Sequence, residues 1–490
     1  EQLEWVLHDS EAVVALFETQ ALHAHYQELA DRLPACRTAL VLEAGALERL
    51  TALGAEVEET RLDERLERLR ASELATLIYT SGPTGRPRGC RLTHGNIRGN
   101  GLQVMARAGE LLTPEDRTLL FLPLAHALAK MLFLIAVERG NEVAFATGPG
   151  RLTEELGMVR PTWFGAVPRV LEKVFQSAHH HAEQAGRGRL FQLAADVATR
   201  YSRERSEGRV SLRTRLPHAV FDRLVYRKLR GVLGGALRFT VSGGGPLSER
   251  LNHFFHGMGV AVFEGYGLTE TSPVLALNVP QALRIGTVGQ PLPDTTVRLA
   301  EDGEVLVRGP QVFQGYWHDE EATRRTFTPD GWLMTGDLGS LDDAGYLRII
   351  GRKKELLITA AGKNVAPGPL EDRLREHPLV SQALVVGEGR PFVAALVTLE
   401  EQMLARWAEK HGKAGQPRES LVEDPALRAE VQEAIEAANR TVSRAESIRK
   451  FALLPEDFTL ERDELTPSLK VRRHIVSQHY ADVIERLYRH

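Results

Sequence analysis

The sequence has little cysteine and no large excess of either charge. Its 490 residues contain two cysteines, Cys36 and Cys90, and these show no C-x-x-C spacing. A disulfide framework and a cysteine-based zinc site are therefore excluded, and a reducing cytoplasm is the simple interpretation. The 61 Lys and Arg residues nearly balance the 65 Asp and Glu residues, leaving a net charge of −4. No chain-wide basic field indicates a nucleic-acid partner.

Long apolar runs and the common nucleotide motifs are also missing. The most apolar stretch, residues 129–137, contains Lys130 and reaches about half of the roughly 20 residues that a membrane helix needs. No G-x-x-x-x-G-K-[ST] motif occurs, which disfavours P-loop NTPases. What is present, 43% apolar and 26% charged residues, is typical of a soluble globular enzyme.

Short apolar runs alternate with longer amphipathic stretches, which predicts an α/β fold. The segment 170–233 is long, charged and helical in period, so we expect a helical layer covering a sheet. Residues 2–9 and 472–487 are each predicted to form one helix. Strands are predicted at residues 13–17, 39–42, 75–79, 118–122, 143–146, 237–241, 260–263, 305–307, 383–386 and 393–399.

The chain changes character at residues 345–359, where a basic cluster lies between two apolar strands. We expect a domain boundary there, with a large domain at residues 1–351 and a small, mobile α+β domain at residues 352–490. The sequence begins with Glu1 and mid-protein helix rather than with Met. We therefore expect that an N-terminal part of the large domain is missing.

A glycine-rich loop follows the predicted strand at 75–79. The segment 79–89, YTSGPTGRPRG, combines glycines and hydroxyl side chains with Arg86 and Arg88. Backbone N–H groups, hydroxyls and guanidinium groups together suit a polyphosphate. The segment lacks the G-x-G-x-x-G spacing of Rossmann proteins. Taken alone, such a loop is equally consistent with a surface turn.

With seven further motifs, this loop resembles the phosphate loop of the adenylate-forming superfamily. That superfamily includes acyl-CoA synthetases, firefly luciferase and peptide-synthetase adenylation domains. The motifs occur in the family's order, as LPLAH at 122–126, SGGGPL at 242–247, GYGLTET at 265–271, WLMTGD at 332–337, GRKKE at 351–355, GKNVAP at 362–367 and LTPSLKVRR at 465–473. The resemblance runs through the whole chain and implies the fold of these enzymes, a large domain of sheets and helices with a small C-terminal lid.

Within the superfamily the sequence is most similar to bacterial long-chain fatty acyl-CoA synthetases of the AMP-forming type. This resemblance rests on VPRVLEKV at 167–174, on the insert ending in FDRLVYRKLRGVLGG at 221–235, and on the tail. It implies a ligase that activates a medium- or long-chain fatty acid with ATP and Mg²⁺ and then transfers the acyl group to coenzyme A. The acyl chain is expected in an apolar tunnel bounded by residues 163–167 and the helical insert.

The resemblance also implies roles for individual residues. Lys470, Thr269, Glu270 and His126 are the implied catalytic residues, and Glu270 is the implied Mg²⁺ ligand. His126 is either part of the active-site wall or a packed histidine. The implied ATP- and AMP-binding residues are Thr80, Ser81, Gly82, Thr84, Gly85, Arg88, Gly243, Gly244, Gly245, Glu264, Gly265, Tyr266, Gly267, Asp337 and Arg352. Lys354 matches the hinge, and Gly362, Lys363 and Asn364 match the path by which CoA enters.

Two departures from the family pattern keep alternatives open. Pro83 replaces a threonine, removing a hydroxyl and a backbone donor, and Arg88 replaces a lysine. The alternatives are a fatty acyl-AMP ligase that loads a carrier protein and an impaired paralogue that binds acyl groups or nucleotides without turnover. The implied partners are a fatty acid and CoA but no nucleic acid. The implied location is the cytoplasm, with peripheral contact at the inner face of the membrane left open.

Two other groups of residues attract attention without carrying a function. The run at His179, His180 and His181 suggests metal binding, but consecutive residues point to different faces of a helix, which favours a solvated helix surface. Cys90 directly follows the glycine loop and has no evident base partner. We expect it to be a small buried residue rather than a nucleophile.

Overall fold

The computed structural model describes residues 2–80, 86–109, 111–148, 151–465 and 471–489. Helices and strands alternate along much of this chain, as the α/β pattern predicts. The helices are α1 (Gln2–Asp9), α2 (Gln20–Gln27), α3 (Ala46–Gly54), α4 (Glu59–Arg68), α5 (His94–Ala108), α6 (Ala127–Glu138), α7 (Leu152–Val159), α8 (Pro168–Gln184), α9 (Gly188–Ser206), α10 (Leu212–Phe221), α11 (Arg227–Val232), α12 (Glu249–Gly257), α13 (Glu320–Thr326), α14 (Pro367–Arg375), α15 (Glu401–Lys410), α16 (Arg418–Leu421), α17 (Pro425–Asn439), α18 (Arg473–His479) and α19 (Ala481–Tyr488).

The strands form six sheets within the described residues. They are β1 (Val14–Phe17), β2 (Thr38–Val41), β3 (Leu74–Thr80), β4 (Arg88–Thr93), β5 (Arg117–Leu120), β6 (Glu142–Phe145), β7 (Trp163–Ala166), β8 (Phe239–Ser242), β9 (Ala261–Tyr266), β10 (Ala276–Leu277), β11 (Gln290–Pro291), β12 (Thr296–Leu299), β13 (Glu304–Arg308), β14 (Leu333–Leu341), β15 (Leu347–Arg352), β16 (Leu357–Ile358), β17 (Asn364–Val365), β18 (Val380–Val386), β19 (Val393–Leu399) and β20 (Ile448–Leu454). Each predicted strand is confirmed to within three residues at its ends.

The largest sheet has the strand order β11-β10-β9-β8-β7-β5-β6, and the five strands from β9 to β6 are parallel. Both of its faces are covered, as parallel sheets require. Along β7, Phe164 packs into the core beneath α8, α9 and α12, whereas Trp163 packs with Leu132 of α6 on the opposite face. The predicted helical layer over residues 170–233 is therefore confirmed as α8 to α11.

A second, antiparallel sheet has the order β12-β13-β14-β15. The β3–β4 hairpin packs against it through a shared core that includes Ile78, Cys90, Val305 and Leu333. Because β3 and β4 flank the glycine loop, this core fixes the base of that loop on the sheet that carries WLMTGD. Helix α1 also contacts the hairpin, since Trp5 Nε1 donates a hydrogen bond to Pro87 O at 2.8 Å.

The C-terminal part has its own three-stranded sheet, β18-β19-β20, covered by helices. One apolar cluster joins this sheet to α14, α15 and α17, and another joins it to α18 and α19. The single helix predicted for residues 472–487 is wrong in one respect, because α18 and α19 are separated at Tyr480. No helix in the described part of the chain is long and apolar enough to cross a membrane.

Candidate active site

Three of the motifs meet at one edge of the large sheet. Strands β5, β7, β8 and β9 are parallel, so their carboxyl ends share that edge. The chain leaves β5 into residues 121–126, β8 into residues 243–247 and β9 into residues 267–271. Segments far apart in sequence are thereby brought together at the position where open α/β sheets bind ligands.

The 243–247 loop lies against the start of α8. Gly243 N donates to Ala166 O at 3.2 Å, and a Cβ built on Gly243 would lie 3.5 Å from Gly265 O. Gly244 has a φ of +80°, a conformation that side-chain-bearing residues rarely adopt. The glycines of SGGGPL and GYGLTET therefore lie side by side, with exposed backbone where the adenine is expected.

Glu264 supports the 243–247 loop through hydrogen bonds. Its carboxylate accepts hydrogen bonds from Asn252 Nδ2 at 2.8 Å and from Leu247 N at 3.4 Å. Burial raises the pKa of Glu264 to about 7, because removal from water disfavours the charged form more than its two donors favour it. This side chain, predicted to bind ATP or AMP, is thus buried, and its contacts are with α12 and the loop.

Tyr266, Asp337 and Arg352 form one polar cluster. Tyr266 Oη donates to Asp337 Oδ2 at 2.5 Å, and Arg352 Nε lies 2.9 Å from Asp337 Oδ1. Burial, followed by the negative charge of Asp337, raises the pKa of Tyr266 well above its usual range, so its hydroxyl remains a donor. Asp337 N also donates to Thr335 Oγ1 at 3.1 Å. The carboxylate, oriented by Tyr266 and Arg352, is the type of acceptor that suits a pair of ribose hydroxyls.

Glu270 lies in a short 3₁₀ turn, Thr269–Thr271, which follows Gly267. The backbone of Gly267 lies close to Pro273 O. A Cβ on Gly267 would lie 1.7 Å from Pro273 O, so only glycine permits this turn. Tyr316 Oη donates to Glu270 Oε1 at 2.7 Å, which orients the carboxylate. Thr269 precedes Glu270 in the same turn and is half-buried.

The glycine loop is attached to this turn through the hairpin. Trp317 N donates to Gly89 O at 2.8 Å, and Cys90 pairs with Tyr316 in an antiparallel bridge. Arg88 Nε lies 3.2 Å from Asp319 Oδ2, so the predicted phosphate ligand is held by a carboxylate in this structure. Ser81, Gly82, Pro83, Thr84 and Gly85 lie outside the described residues. Their flanks, Thr80 and Arg88, are paired across β3 and β4.

The carboxylate of Glu270 suits magnesium. No group of three or more His, Cys, Asp and Glu side chains that could hold a metal occurs among the residues that the structure describes. Mg²⁺ at phosphate-transfer sites is commonly held by one or two carboxylates together with the phosphates themselves. Glu270, fixed by Tyr316 and adjacent to the base of the glycine loop, fits that arrangement.

His126 lies at the same edge, between β5 and α6. Its Nδ1 accepts a hydrogen bond from Leu128 N at 3.2 Å and so caps α6. The side chain is exposed. The packed alternative is therefore wrong, and the position is consistent with an active-site wall.

In the hinge region, two carboxylates hold Lys353 at the protein surface. Lys354 is exposed, and so are its charged neighbours Lys353 and Glu355. Lys353, however, pairs with Asp302 at 2.5 Å and with Glu304 at 2.7 Å. Glu304 Oε1 also accepts from Gly336 N at 2.9 Å. The residue before the hinge is thus tied to β13 and to the WLMTGD turn.

Residues 362–364 lie apart from this cluster, on the C-terminal part. Gly362 has a φ of +74° in the turn between β16 and β17, where its N–H donates to Thr359 O at 2.8 Å. Lys363 Nζ lies 3.4 Å from Glu446 Oε1. Gly362, Lys363 and Asn364 are exposed, as an entry path for CoA requires.

Lys470 lies outside the described residues. Leu465 and Val471 form an antiparallel bridge on either side of residues 466–470. Arg472 N donates to the backbone oxygen of Glu464 at 2.8 Å, and the buried Glu464 carboxylate accepts from His479 at 3.0 Å. The base of the segment that carries Lys470 is therefore firmly anchored to the C-terminal part.

The histidine run and Cys90 are placed clearly. His179 is partly buried and its ring centroid lies 5.3 Å from that of Phe191, so the predicted solvated surface is wrong for this residue. His180 accepts from Arg406 of α15 at 2.8 Å. Cys90 is fully buried, as expected, and burial raises its thiol pKa well above the usual range.

Motif reading missed the supporting residues. Asn252, Glu304, Tyr316 and Thr335 each contact a residue of a motif or of the implied nucleotide site, and Lys353 contacts Glu304. Thr335 and Lys353 lie inside recognised motifs, and their neighbours could have drawn attention to them. Asn252, Glu304 and Tyr316 come from segments with no recognised motif, and their contacts depend on tertiary packing.

Two family models match the chain. One describes the AMP-binding enzyme and covers residues 1–317, and the other describes the C-terminal domain of AMP-binding enzymes and covers residues 354–490. The long-chain-fatty-acid–CoA ligase FadD15 of Mycobacterium tuberculosis is 48% identical over 492 aligned residues, which cover 100% of this chain and 82% of that protein. The peroxisomal long chain acyl-CoA synthetase 7 of Arabidopsis thaliana is 33% identical, covering 86% of this chain and 61% of that protein.

Solved structures show the same fold at lower identity. The adenylation domain of a carboxylate reductase from Mycobacterium chelonae superposes with a TM-score of 0.73 at 22% identity, covering 99% of this chain and 74% of that chain. ATP-bound MatB from Rhodopseudomonas palustris superposes with a TM-score of 0.66 at 23% identity, covering 98% of this chain and 82% of that chain. The predicted fold class, a large α/β domain with a small C-terminal domain, is confirmed.

Proposed function

The chain belongs to the AMP-binding enzyme family, and from that premise we propose that it is an AMP-forming long-chain fatty acyl-CoA synthetase. The observation that carries the proposal is the 48% identity, over the whole chain, with a protein named as a long-chain-fatty-acid–CoA ligase. The polar edge of the large sheet supports the nucleotide half of the reaction. The substrates of the proposed enzyme are a fatty acid, ATP and CoA. We place the enzyme in the cytoplasm, where ATP and CoA are available.

The proposed reaction has two steps. In the first, a carboxylate oxygen of the fatty acid attacks the α-phosphorus of ATP, and pyrophosphate leaves. In the second, the CoA sulfur attacks the acyl carbon, its proton is released, and AMP leaves. Such displacements depend on positioning and on positive charge near the phosphates.

We assign the nucleotide contacts from the cluster geometry. Asp337, oriented by Tyr266 and Arg352, accepts the ribose hydroxyls, and the backbone at Gly244 and Gly265 lies along the adenine. Thr269 reaches the α-phosphate. Glu270, held by Tyr316, binds Mg²⁺, which supplies positive charge to the phosphates when it is bound.

We propose that residues 352–490 act as a lid pivoting at Lys354. Lys470 then neutralises charge at the reacting carboxylate and α-phosphate in the first step, and Gly362, Lys363 and Asn364 line the CoA path in the second. Support comes from the exposure of Lys354 and of residues 362–364. The ion pairs of Lys353 hold the chain immediately before the pivot to the large domain.

The first test is product analysis. The purified chain is incubated with Mg-ATP, CoA and a panel of fatty acids of graded length plus an aromatic acid, and products are identified by mass spectrometry. Acyl-CoA from the longer acids is the expected result. Acyl-AMP without thioester would replace this proposal with the acyl-AMP ligase that loads a carrier protein. No product from folded protein, with no Mg-ATP binding by calorimetry, would replace it with the impaired paralogue.

The second test separates the two steps with Lys470→Ala. Removing one preorganised charge donor typically costs about 10²- to 10³-fold in rate, so adenylation should fall by about 10²-fold or more. Thioester formation from supplied acyl-adenylate should change much less. Lys410→Ala, which removes an exposed lysine of α15 in the same domain, is the matched control. Equal loss in both steps would remove Lys470 from this role.

A further inference from the structure

Helix α5 buries three amide side chains on one of its faces. Asn96, Asn100 and Gln103 are 8%, 0% and 6% exposed. Residues spaced by four and three positions lie on one side of a helix, where a buried face is ordinarily apolar. A buried amide is costly unless its polar atoms are hydrogen-bonded. The partners of these three side chains therefore show what this face of the helix holds in place.

Asn100 binds the chain that directly follows the turn carrying Glu270. Its Nδ2 donates to Val274 O at 2.7 Å, and its Oδ1 accepts from Val274 N at 3.0 Å. One side chain thus satisfies both backbone polar atoms of Val274. The residue before it, Pro273, is linked back to the turn, since Thr271 Oγ1 lies 2.9 Å from Pro273 O.

Asn96 binds a second segment that supports the same turn. Its Nδ2 donates to Pro310 O at 2.8 Å and to Val312 O at 3.1 Å. The next residue along the chain, Phe313, donates its N–H to Glu270 O at 2.9 Å. The backbone of Glu270 is therefore held by a segment that is itself fixed to α5.

Gln103, the third amide, has a different target. Its Nε2 donates to Pro293 O at 2.6 Å and to Thr295 Oγ1 at 3.4 Å, and in the described chain neither partner hydrogen-bonds to the Thr269–Thr271 turn. Its Oε1 accepts from Asn100 Nδ2 at 3.3 Å. Gln103 thus matches the two asparagines in chemistry and burial but does not bind the segments that hold Glu270.

We propose that Asn96 and Asn100 are positioning residues for the carboxylate of Glu270. They fix the two segments that hold the backbone of its turn, while Tyr316 orients the carboxylate itself. The inference rests on the proposed function, in which Glu270 binds the Mg²⁺ that accompanies ATP. Residues that orient a metal ligand without touching the metal commonly change metal affinity by about 10- to 100-fold.

The test compares two dissociation constants of ATP, measured by calorimetry with Mg²⁺ and with EDTA. Without metal the Glu270 carboxylate repels the phosphates, whereas with Mg²⁺ it attracts the complex, so displacing Glu270 weakens Mg-ATP binding selectively. Asn96→Asp removes the donor to Pro310 O and Val312 O but keeps the oxygen that accepts from Thr93 N in the cap of α5. The Kd for Mg-ATP should rise about tenfold, and the Kd for metal-free ATP should change much less.

Two further variants make the same exchange of an amide for a carboxylate. Asn100→Asp should also weaken Mg-ATP binding selectively, and it serves as the test if Asn96→Asp does not fold. Gln103→Glu is the matched control. It keeps the oxygen that accepts from Asn100 and should leave the ratio of the two dissociation constants unchanged. Thermal melting compares the stability of the three variants.

A double variant shows whether the effect passes through Glu270. In a chain that already carries Glu270→Gln, Asn96→Asp should cause no further selective loss of Mg-ATP affinity, because both changes act on the same metal contact.

Hydrogen exchange without ATP or metal gives an independent readout. The Phe313 N–H should exchange about tenfold faster in Asn96→Asp than in the unchanged chain or Gln103→Glu, because residues 310–312 lose two hydrogen bonds. If the unchanged chain binds ATP no more tightly with Mg²⁺ than with EDTA, the magnesium role of Glu270 in the proposed function is wrong. The exchange rate then still decides whether Asn96 holds the turn.

Three results would overturn the proposal. The first is an equal loss of affinity for Mg-ATP and metal-free ATP in both asparagine variants, which is the signature of general damage to the fold. The second is a selective loss of Mg-ATP affinity in Gln103→Glu as large as theirs. The third is an unchanged exchange rate at Phe313 in Asn96→Asp.

Discussion

Glu264 is a buried carboxyl group that forms no ion pair with any residue the structure describes. Its partners are the amide of Asn252 and the backbone N–H of Leu247, and its pKa is raised to about 7 by burial. The folded state therefore binds this proton more tightly than the unfolded state, in which the pKa is near 4.5. The contribution of Glu264 to stability is largest at low pH and declines as the pH rises toward and through 7.

Glu264→Gln should remove this pH dependence while keeping an oxygen acceptor for Asn252 Nδ2 and giving up the longer bond from Leu247 N. Near pH 5 the variant and the unchanged chain should have similar free energies of unfolding. Near pH 8 the variant should be more stable by about 2 kcal/mol, because it buries no charge. Urea unfolding at the two pH values measures the difference in unfolding free energy between the variant and the unchanged chain. The other titrating groups are the same in both proteins, so their contributions cancel. Parallel pH profiles for the two proteins would show that the carboxylate is not desolvated as described.

The hydrogen bond from Tyr266 to Asp337 permits a sharper test of the ribose site. Tyr266→Phe removes a donor from a buried carboxylate and leaves Arg352 in place. A hydrogen bond to a charged group contributes about 1.5–3 kcal/mol, so the Kd for ATP should rise about tenfold or more. Calorimetric titration with Mg-ATP measures the change. Tyr346→Phe is the control, because the Tyr346 hydroxyl makes no hydrogen bond with a described residue. If Tyr266→Phe leaves the Kd for ATP unchanged, Asp337 is excluded as the ribose acceptor.

At this scale the motifs identified the residues that we propose face the nucleotide, but most of the residues that hold them were not identified. Asp337 was recognisable because it follows Thr335 and Gly336 in a known pattern. Tyr316 was not, because its contact with Glu270 joins residues 46 positions apart. The role of Asn252 was equally unpredictable from the sequence, because a polar residue on a helix is ordinarily exposed. In the structure Asn252 is only 1% exposed.

At the scale of elements, the end of β15 shows how two adjacent lysines differ. Both are exposed, but Lys353 pairs with Glu304, whose side chain is 8% exposed, whereas Lys354 forms no ion pair with a described residue. Lys353→Met should destabilise the chain by about 1–2 kcal/mol, because a nearly buried carboxylate loses its cation while the remaining exposure moderates the effect. Chemical unfolding measures this change. Lys354→Met should leave the unfolding midpoint unchanged and slow thioester formation; equal destabilisation by both variants would contradict the assignment.

Strands were the most predictable elements, because short apolar runs bounded by polar segments leave few alternatives. For example, the strand predicted at residues 393–399 has the same ends as β19. The terminal helix was less predictable. The apolar period from Val476 to Leu487 continues through the break between α18 and α19, so the period gives no sign of it. At Tyr480 the backbone departs from helical geometry while its ring packs on Phe458, and neither glycine nor proline marks the position.

At the scale of the whole molecule, ion pairs connect the parts of the chain before and after residue 352, whereas the apolar cores of the two parts are separate. No apolar cluster of the described residues crosses that position. The C-terminal clusters contain residues between 357 and 488, and the clusters of the large domain end at residue 349. The contacts that do cross are largely polar, such as Arg406 with Glu183 at 2.9 Å and Lys353 with Glu304.

This distribution predicts that residues 352–490 fold without the large domain. A domain of this size with its own apolar core is expected to be stable alone, and ion pairs at its surface contribute little. The expressed fragment should therefore give a sigmoidal thermal transition by circular dichroism and dispersed amide signals by NMR. A fragment of residues 387–490, which lacks α14 and β18, leaves one side of β19 unpaired and should show neither. If the 352–490 fragment also melts without cooperativity, the C-terminal part depends on the large domain for its structure, and a freely pivoting lid at Lys354 is excluded.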